Sequence, residues 1–314
     1  MEYTETGEII GEGAFGRVVV VTDTDGRRYA KKICTYKKYI RETLTEYEIM
    51  QSLAKNPDHP GYEHVVHLLS AVEDAMGEGV ELVMDLYEGC LLDLMQEKDE
   101  CELIVPLDET IVLDVARHIS LGLSYMNFCR LTHGDLKPEN ILWRRSSTSK
   151  SGYHFALADF GNTVQITSDK VYQEIQTREY RCVENILDEP VGLSCDMTSL
   201  GCILYEAITG DYLVNRTDTD DHIAEMLEII GRQTLAKYDS SELPKLGPFL
   251  EEIQSVQGDL STKGCVVHDL LQEVFDENNY EKQEEMIDFI IQSIIPYPKQ
   301  RLQAHAALDH PLLK

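Results

Sequence analysis

The chain lacks any apolar run approaching the roughly 20 residues needed to cross a bilayer, so no membrane span is expected. Its opening residues, Met1-Glu2-Tyr3, lead almost directly into a predicted strand without the basic start and apolar stretch of a secretory signal. The expectation is an intracellular protein, cytoplasmic with access to the nucleus. Basic residues are scarce: 28 Lys and Arg face 56 Asp and Glu, for a formal net charge of −28. That balance disfavours nucleic acid or an anionic membrane as a direct partner and favours a basic one, although excess carboxylate also simply keeps a chain soluble. The eight cysteines (34, 90, 101, 129, 182, 195, 202, 265) show no Cys-x-x-Cys spacing, and no zinc-like histidine pattern accompanies them. They read as reduced core thiols. What is present is 314 residues of ordinary globular composition, 43% hydrophobic, enough for one large core or two lobes.

Glu8-Ile-Ile10 reads as a short strand, Gly11-Glu-Gly13-Ala-Phe-Gly16-Arg-Val18 as a glycine-rich turn, and Val18 to Val21 as the next strand. A glycine turn between two strands differs from one that opens a helix, which would suggest a dinucleotide-binding βαβ unit. Backbone without Cβ can bring its N–H groups close to phosphate oxygens. Asp25-Gly26 signals a hairpin, and Tyr29-Ala-Lys-Lys32-Ile reads as the third strand, whose two lysines alone would only solvate a strand face. A helix is predicted from about Tyr39 to Ala54. On it Glu46 shares an apolar face with Ile49, Met50 and Leu53, so its carboxylate needs a cation once buried, and Lys32 is the candidate. Glu42 shares that face and Glu48 lies nearby. His64-Val-Val-His-Leu-Leu and Val80-Glu-Leu-Val-Met84 read as the last two strands of a five-stranded antiparallel sheet, with a loop over 55–63 between helix and strand. Leu107 to Asn127 has helical period.

Two further segments carry the chemistry: His133-Gly-Asp-Leu-Lys-Pro-Glu-Asn140 and Asp159-Phe-Gly161, with four residues between Asp135 and Asn140. Each charged residue alone suits a surface loop. Together they resemble the catalytic and metal-binding loops of the eukaryotic protein kinases. The resemblance runs from Ile10 to Leu313 and implies an α+β, bilobal protein-kinase fold forming one domain. Residues 1–86 would form the small lobe, a five-stranded antiparallel sheet with one main helix, and 87–314 a mainly helical large lobe.

By that resemblance ATP and Mg²⁺ occupy the cleft. Ile10, Gly11, Glu12, Gly13, Ala14, Phe15, Gly16 and Val18 would form the flap over the phosphates, and Ala30 would line the pocket. Lys32, paired with Glu46, would hold phosphate, with Lys31 its outward neighbour. Met84 would be the gatekeeper, Asp85 and Tyr87 the hinge whose backbone bonds adenine, and Leu142 the floor of the adenine pocket. Asp93 would contact ribose or be an exposed helix-start aspartate. Asp135 would accept or orient the proton of the attacking hydroxyl, Lys137 would neutralise charge on the transferred group, and Asn140 with Asp159 would hold the metal.

The run Glu174-Ile-Gln-Thr-Arg-Glu-Tyr-Arg181-Cys-Val-Glu184 is similar to the SR-protein kinases, in the CMGC group that includes the LAMMER and dual-specificity tyrosine-regulated kinases. Leu131-Thr-His133 leans toward the LAMMER kinases. Thr177 implies serine/threonine specificity. Gly134 replaces an arginine that in many kinases captures a phosphorylated loop, and Glu174 stands where the dual-specificity relatives carry a phosphotyrosine, which together imply a constitutively active loop. Cys182-Val-Glu184 departs from Ala-Pro-Glu, with Arg301 the expected partner of Glu184. Asp196 would brace the catalytic loop, and Thr198 replaces a usual tryptophan. Residues 144–152 read as a solvated hairpin loop or a self-phosphorylation site, and residues 233–276 as a group-specific insertion without assigned structure. The expected activity is Mg²⁺-dependent transfer from ATP to Ser/Thr of a basic, Arg/Ser-rich protein, by a monomer, with a link to mRNA processing implied only by the resemblance. The alternatives are a LAMMER-type dual-specificity kinase, a pseudokinase scaffold, and a small-molecule kinase of the same fold, which the 177–184 run argues against.

Overall fold

The two-residue period of the strand Gly16–Thr22 puts Val20 on one face and Val19 and Val21 on the other, where they meet Val83, and all three valines are buried. This strand, β2, follows β1 (Thr4–Gly13) and precedes β3 (Arg28–Cys34). A computed structural model of the chain describes residues 2–13, 16–34, 39–73, 80–96, 106–167, 171, 173–255, 266–278 and 280–314. Ala14 and Phe15 of the expected flap lie outside these residues, as do Cys101 and Cys265. Helix α1 (Ile40–Leu53) buries Glu46, Met50 and Leu53 against the sheet side, and β4 (Leu68–Glu73) and β5 (Val80–Asp85) complete an antiparallel sheet in the order β1-β2-β3-β5-β4. The register sets Val18 opposite Lys32 and Ala30 opposite Met84.

The fourth strand departs from expectation. Tyr62–His64 is a 3-10 turn, and the strand begins only at Leu68. The apolar pair Val65 and Val66 is fully buried, but the Val66 amide donates to the Leu157 carbonyl (2.8 Å) and the His64 ring to that of Phe155 (3.0 Å). That segment joins the helical half rather than the small sheet. Lys31 also departs: it is 9% exposed and its Nζ sits 2.8 Å from both Glu5 and Glu81, so ion pairs rather than water cover it.

Past the hinge come β6 (Gly89–Cys90), the short α2 (Leu91–Met95) and the long α3 (Glu109–Phe128), started by Asp108 accepting from the Thr110 amide at 2.8 Å. Then β7 (Leu131–Thr132) pairs with β10 (Val164–Gln165), and β8 (Ile141–Arg145) with β6 and with β9 (Tyr153–Leu157). Residues 146–152 form the exposed to half-buried turn of the β8–β9 hairpin. The rest is helical: α4 (Val183–Ile186), α5 (Cys195–Thr209), α6 (Thr219–Ile230), α7 (Arg232–Leu235), α8 (Gly247–Ser255), α9 (Val266–Asn278), α10 (Gln283–Ile294) and α11 (Ala304–Ala307). The segment without assigned structure thus holds α8 and most of α9, with 256–265 outside the described residues.

Helix α5 is buried from Cys195 to Ile208 and forms the axis of this half. Thr198 is small enough to lie against α10 and donates toward the Ser293 carbonyl at 3.5 Å, where a tryptophan ring would hold the helices apart. Of the thiols, Cys182, Cys195 and Cys202 are buried, whereas Cys34, Cys90 and Cys129 are half-buried, so only part of the set is core.

Candidate active site

Helix α1 turns Glu46 inward beneath β3, and Lys32 on β3 reaches it: Nζ lies 2.7 Å from Glu46 Oε2 and 2.7 Å from Asp159 Oδ1. Burial works against the Lys32 charge, yet the two carboxylates outweigh it and hold its proton above the usual lysine range. Burial likewise opposes ionisation of Asp159, but the Lys32 ammonium prevails and lowers its pKa. Asp159 has a positive φ of 61°, a left-handed conformation that costs a non-glycine residue on the order of 1 kcal/mol or more. That backbone turn is what brings its side chain to the lysine.

The catalytic-loop backbone is held from below by one carboxylate. Asp196, 1% exposed at the start of α5, accepts from Thr132 Oγ1 (2.7 Å), the His133 amide (2.7 Å) and the Gly134 amide (3.0 Å). His133 Nε2 donates to the Ala158 carbonyl at 2.9 Å, tying this loop to the Asp159 turn. Gly134 has φ 77°, and a Cβ there would stand 2.4 Å from the Asn162 carbonyl oxygen, so no side chain fits at the position where other kinases place arginine.

Above this brace Asp135 accepts from Thr177 Oγ1 at 2.7 Å and from Asn162 Nδ2 at 3.3 Å, and Lys137 Nζ lies 3.6 Å from its second oxygen. Asn140 donates Nδ2 to the Asp135 carbonyl at 2.8 Å, which leaves its amide oxygen as an acceptor. That oxygen and the Asp159 carboxylate, whose side chain is 39% exposed despite its lysine, are hard donors of the type Mg²⁺ takes. The residues fit the ion.

Ile10, Gly11, Glu12 and Gly13 lie on β1, and Gly16 and Val18 on β2 across the turn. A Cβ on Gly16 would stand 2.0 Å from the Ile33 carbonyl oxygen, so close strand approach demands glycine there. Met84, next to last in β5, lies opposite Ala30, and Leu142 on β8 pairs with Cys90 just past the hinge. The side chains of Asp85 and Tyr87 line a cavity beside Arg144, and Asp93 Oδ2 accepts from the Cys90 amide at 2.7 Å. The helix-start reading of Asp93 therefore describes its contact. In the activation segment Glu174 pairs with Arg181 at 3.0 Å, whereas Arg178 donates to the Arg216 carbonyl at 2.7 Å. Glu184 and Arg301 form a bidentate pair at 2.7 Å, almost wholly buried.

Residues 4–313 match the protein kinase domain. The chain belongs to the protein kinase family. It is 27% identical to serine/threonine-protein kinase AFC3 of Arabidopsis thaliana, over 97% of this chain and 80% of that protein. It is 32% identical to dual specificity tyrosine-phosphorylation-regulated kinase 3 of Homo sapiens (72% of this chain, 37% of that protein) and 32% identical to the probable dual specificity protein kinase madd-3 of Caenorhabditis elegans (71% and 26%). The chain thus spans well under half the length of the last two. These relatives are LAMMER-type and dual-specificity kinases of the CMGC group.

One feature of this kinase escaped the sequence reading. Tyr180, beyond Thr177, donates to the buried Glu206 of α5 at 2.7 Å. Burial pushes the Glu206 carboxyl up to about 7; the Tyr180 hydroxyl opposes this, and the charges of Glu139 and Glu179 add to it. Glu139 is two residues past Lys137, inside the catalytic loop, so part of the negative charge acting on Glu206 comes from the loop that carries Asp135. Glu139 was visible within the motif, but nothing in the linear order points to Glu206.

Proposed function

We propose that this kinase transfers the γ-phosphoryl group of ATP to serine or threonine of a basic, Arg/Ser-rich protein, after the manner of the SR-protein kinases and as a monomer. The observation that carries the reading is Asp135, held by Thr177 and flanked by Lys137, on a catalytic loop whose Glu139, together with Glu179, sets negative charge against the carboxylate of Glu206. Bound Mg·ATP supplies the electrophilic phosphorus and metal neutralisation of phosphate charge. Asp135 orients the incoming hydroxyl and receives its proton, Lys137 stabilises charge on the transferred group, and Lys32, fixed by Glu46, positions the phosphates. Asn140 and Asp159 would hold the ion. An arginine next to the acceptor serine would relieve the crowding of carboxylates, which favours basic peptide over acidic.

The test is transfer from γ-labelled ATP to an Arg/Ser peptide and to an acidic peptide of equal length, at low and high salt. The expected result is a strong preference for the basic peptide that weakens as salt screens it. Equal labelling of both at low salt overturns the substrate assignment, and no labelling of either, with nucleotide still bound, favours a scaffold without turnover. The printed names of the relatives favour a second reading, dual specificity, which phosphotyrosine in the ATP-treated protein would support. The Glu174–Arg181 pair and the absence of an arginine at 134 support a loop active without phosphorylation; loss of activity on phosphatase treatment would remove that idea. Cytoplasmic residence with entry to the nucleus belongs to the same proposal, and imaging of a tagged chain tests it.

A further inference from the structure

Behind the hinge, away from the phosphoryl-transfer residues, three imidazoles meet. His64 comes from the 3-10 turn before β4, His118 from the middle of α3 and His154 from β9. Their ring centroids are 4.4 Å (64 to 118), 4.8 Å (64 to 154) and 5.5 Å (118 to 154) apart, a triangle rather than a column. One ligating atom from each lies within 4.8 Å of the others. Three imidazoles on one tetrahedral ion, with Zn–N of about 2.0–2.1 Å, have centroids roughly 5 Å apart. The triangle has that size.

Hydrogen bonds at the far side of two rings fix which nitrogen is free. The His64 Nδ1–H donates to the Phe155 carbonyl at 3.0 Å and the His154 Nε2–H to the Glu63 carbonyl at 2.9 Å, leaving lone pairs on His64 Nε2 and His154 Nδ1. A carbonyl behind the ligating ring is the support that orients histidine ligands in metal sites. His118 Nδ1 accepts from the Phe155 amide at a long 3.3 Å, so ligation through this nitrogen would replace that contact. Burial lowers all three pKa values, His64 to about 4 and His118 to about 3, so protons compete little for the rings at neutral pH. The charges of Glu63 and Arg144 act on His64 and His154 in opposite senses. A cavity of about 240 Å³, lined by His154, Glu63, Tyr62 and Arg144 among others, opens beside the third ring.

We propose that His64, His118 and His154 bind a divalent transition metal ion, with zinc the leading member of the class, as a clasp joining the 62–64 turn, α3 and β9. Nitrogen ligands suit Zn²⁺, Ni²⁺ and Cu²⁺ rather than the Mg²⁺ of the cleft. The site is separate from the kinase chemistry and stands without it.

The experiment uses the full chain, stripped with chelator and free of nucleotide, titrated with Co²⁺ as the optical probe and then with Zn²⁺ in competition. Wild type should develop the visible absorption of four-coordinate Co²⁺, which Zn²⁺ bleaches, and should melt at a higher temperature with Zn²⁺ than without. His154→Gln, at a half-buried position, should weaken the ion by on the order of tenfold or more through loss of one of three ligands. Cys129→Ser should leave the titration unchanged. Absence of the absorption band in wild type, an unchanged Co²⁺ titration midpoint in folded H154Q, or loss of the band in C129S would overturn the site, the first meaning that the rings pack only as neutral aromatics. Circular dichroism of H154Q confirms folding, and His118→Gln supplies the same readout if H154Q does not fold.

Discussion

Two lysine- or arginine-centred ion pairs in this molecule use the same chemistry and differ in their surroundings. In the cleft, Lys32 bridges Glu46 and Asp159, and the Asp159 side chain is 39% exposed. Below it, Arg301 and Glu184 are 0% and 1% exposed and satisfy each other bidentately, with Arg301 also donating to the Ile295 and Ser194 carbonyls. The lower pair is closed: all three guanidinium nitrogens donate to protein. The upper pair is open on one side, so its charges remain available to a ligand. Burial that is complete yields a brace, and burial that is incomplete yields a site.

The largest effect that would sharpen this contrast is on the cleft side. Asp135→Asn should lower kcat by about 10²–10⁴-fold, the range for loss of a positioned proton acceptor, with the urea midpoint little changed. A variant retaining more than a tenth of wild-type kcat would break the assignment. On the closed side, Arg301→Ala should destabilise the fold by about 3–5 kcal/mol, because Glu184 is left as an unpaired buried charge. Chemical denaturation measures this, and a loss under ~1 kcal/mol would show the lower pair to be dispensable.

Glu206 lies between the two cases, buried but linked to Tyr180 rather than to a cation. Its folded pKa, about 7, is raised above the usual 4.5, so its favourable contribution is complete below pH 4.5 and lost as pH rises through 7. Glu206→Gln, whose amide oxygen still accepts from Tyr180, should therefore be more stable than wild type at pH 8 by roughly 2–3 kcal/mol, an advantage that shrinks toward pH 5.5. Parallel stability curves for the two proteins across that range would contradict the buried-charge account. The smallest effect belongs to Glu174→Ala. With the Glu174 side chain 76% exposed, its pair with Arg181 should contribute no more than about 0–1 kcal/mol to stability. A larger loss would mean that the activation segment depends on this contact more than its exposure implies.

Much of this was legible in order along the chain. The catalytic-loop and Asp-Phe-Gly segments name their chemistry because local backbone geometry fixes the spacing of Asp135, Lys137 and Asn140. Glu46 was readable as the partner of Lys32 because helical period put a carboxylate on an apolar face. The fourth strand was misplaced for a related reason: His64 to Leu69 has a strand-like composition, but its valines find their partners on β9. Lys31 looked solvated, and only the approach of Glu5 from β1 and Glu81 from β5 covers it. Asp93 offered two readings, and its bond to the Cys90 amide accounts for the helix-start one.

The sequence by itself determined the kinase family, the loop chemistry and the small-lobe strands β1 to β3 and β5, because these rest on spacings within a turn, a helix face or a strand. Tertiary structure alone decided that Glu206 feels the charges of Glu139 and Glu179, that Gly134 has no room for a side chain, and that His64, His118 and His154 share one triangle. Those arrangements depend on segments brought together by burial of apolar surface, a force without direction that leaves no local signature in the order of residues.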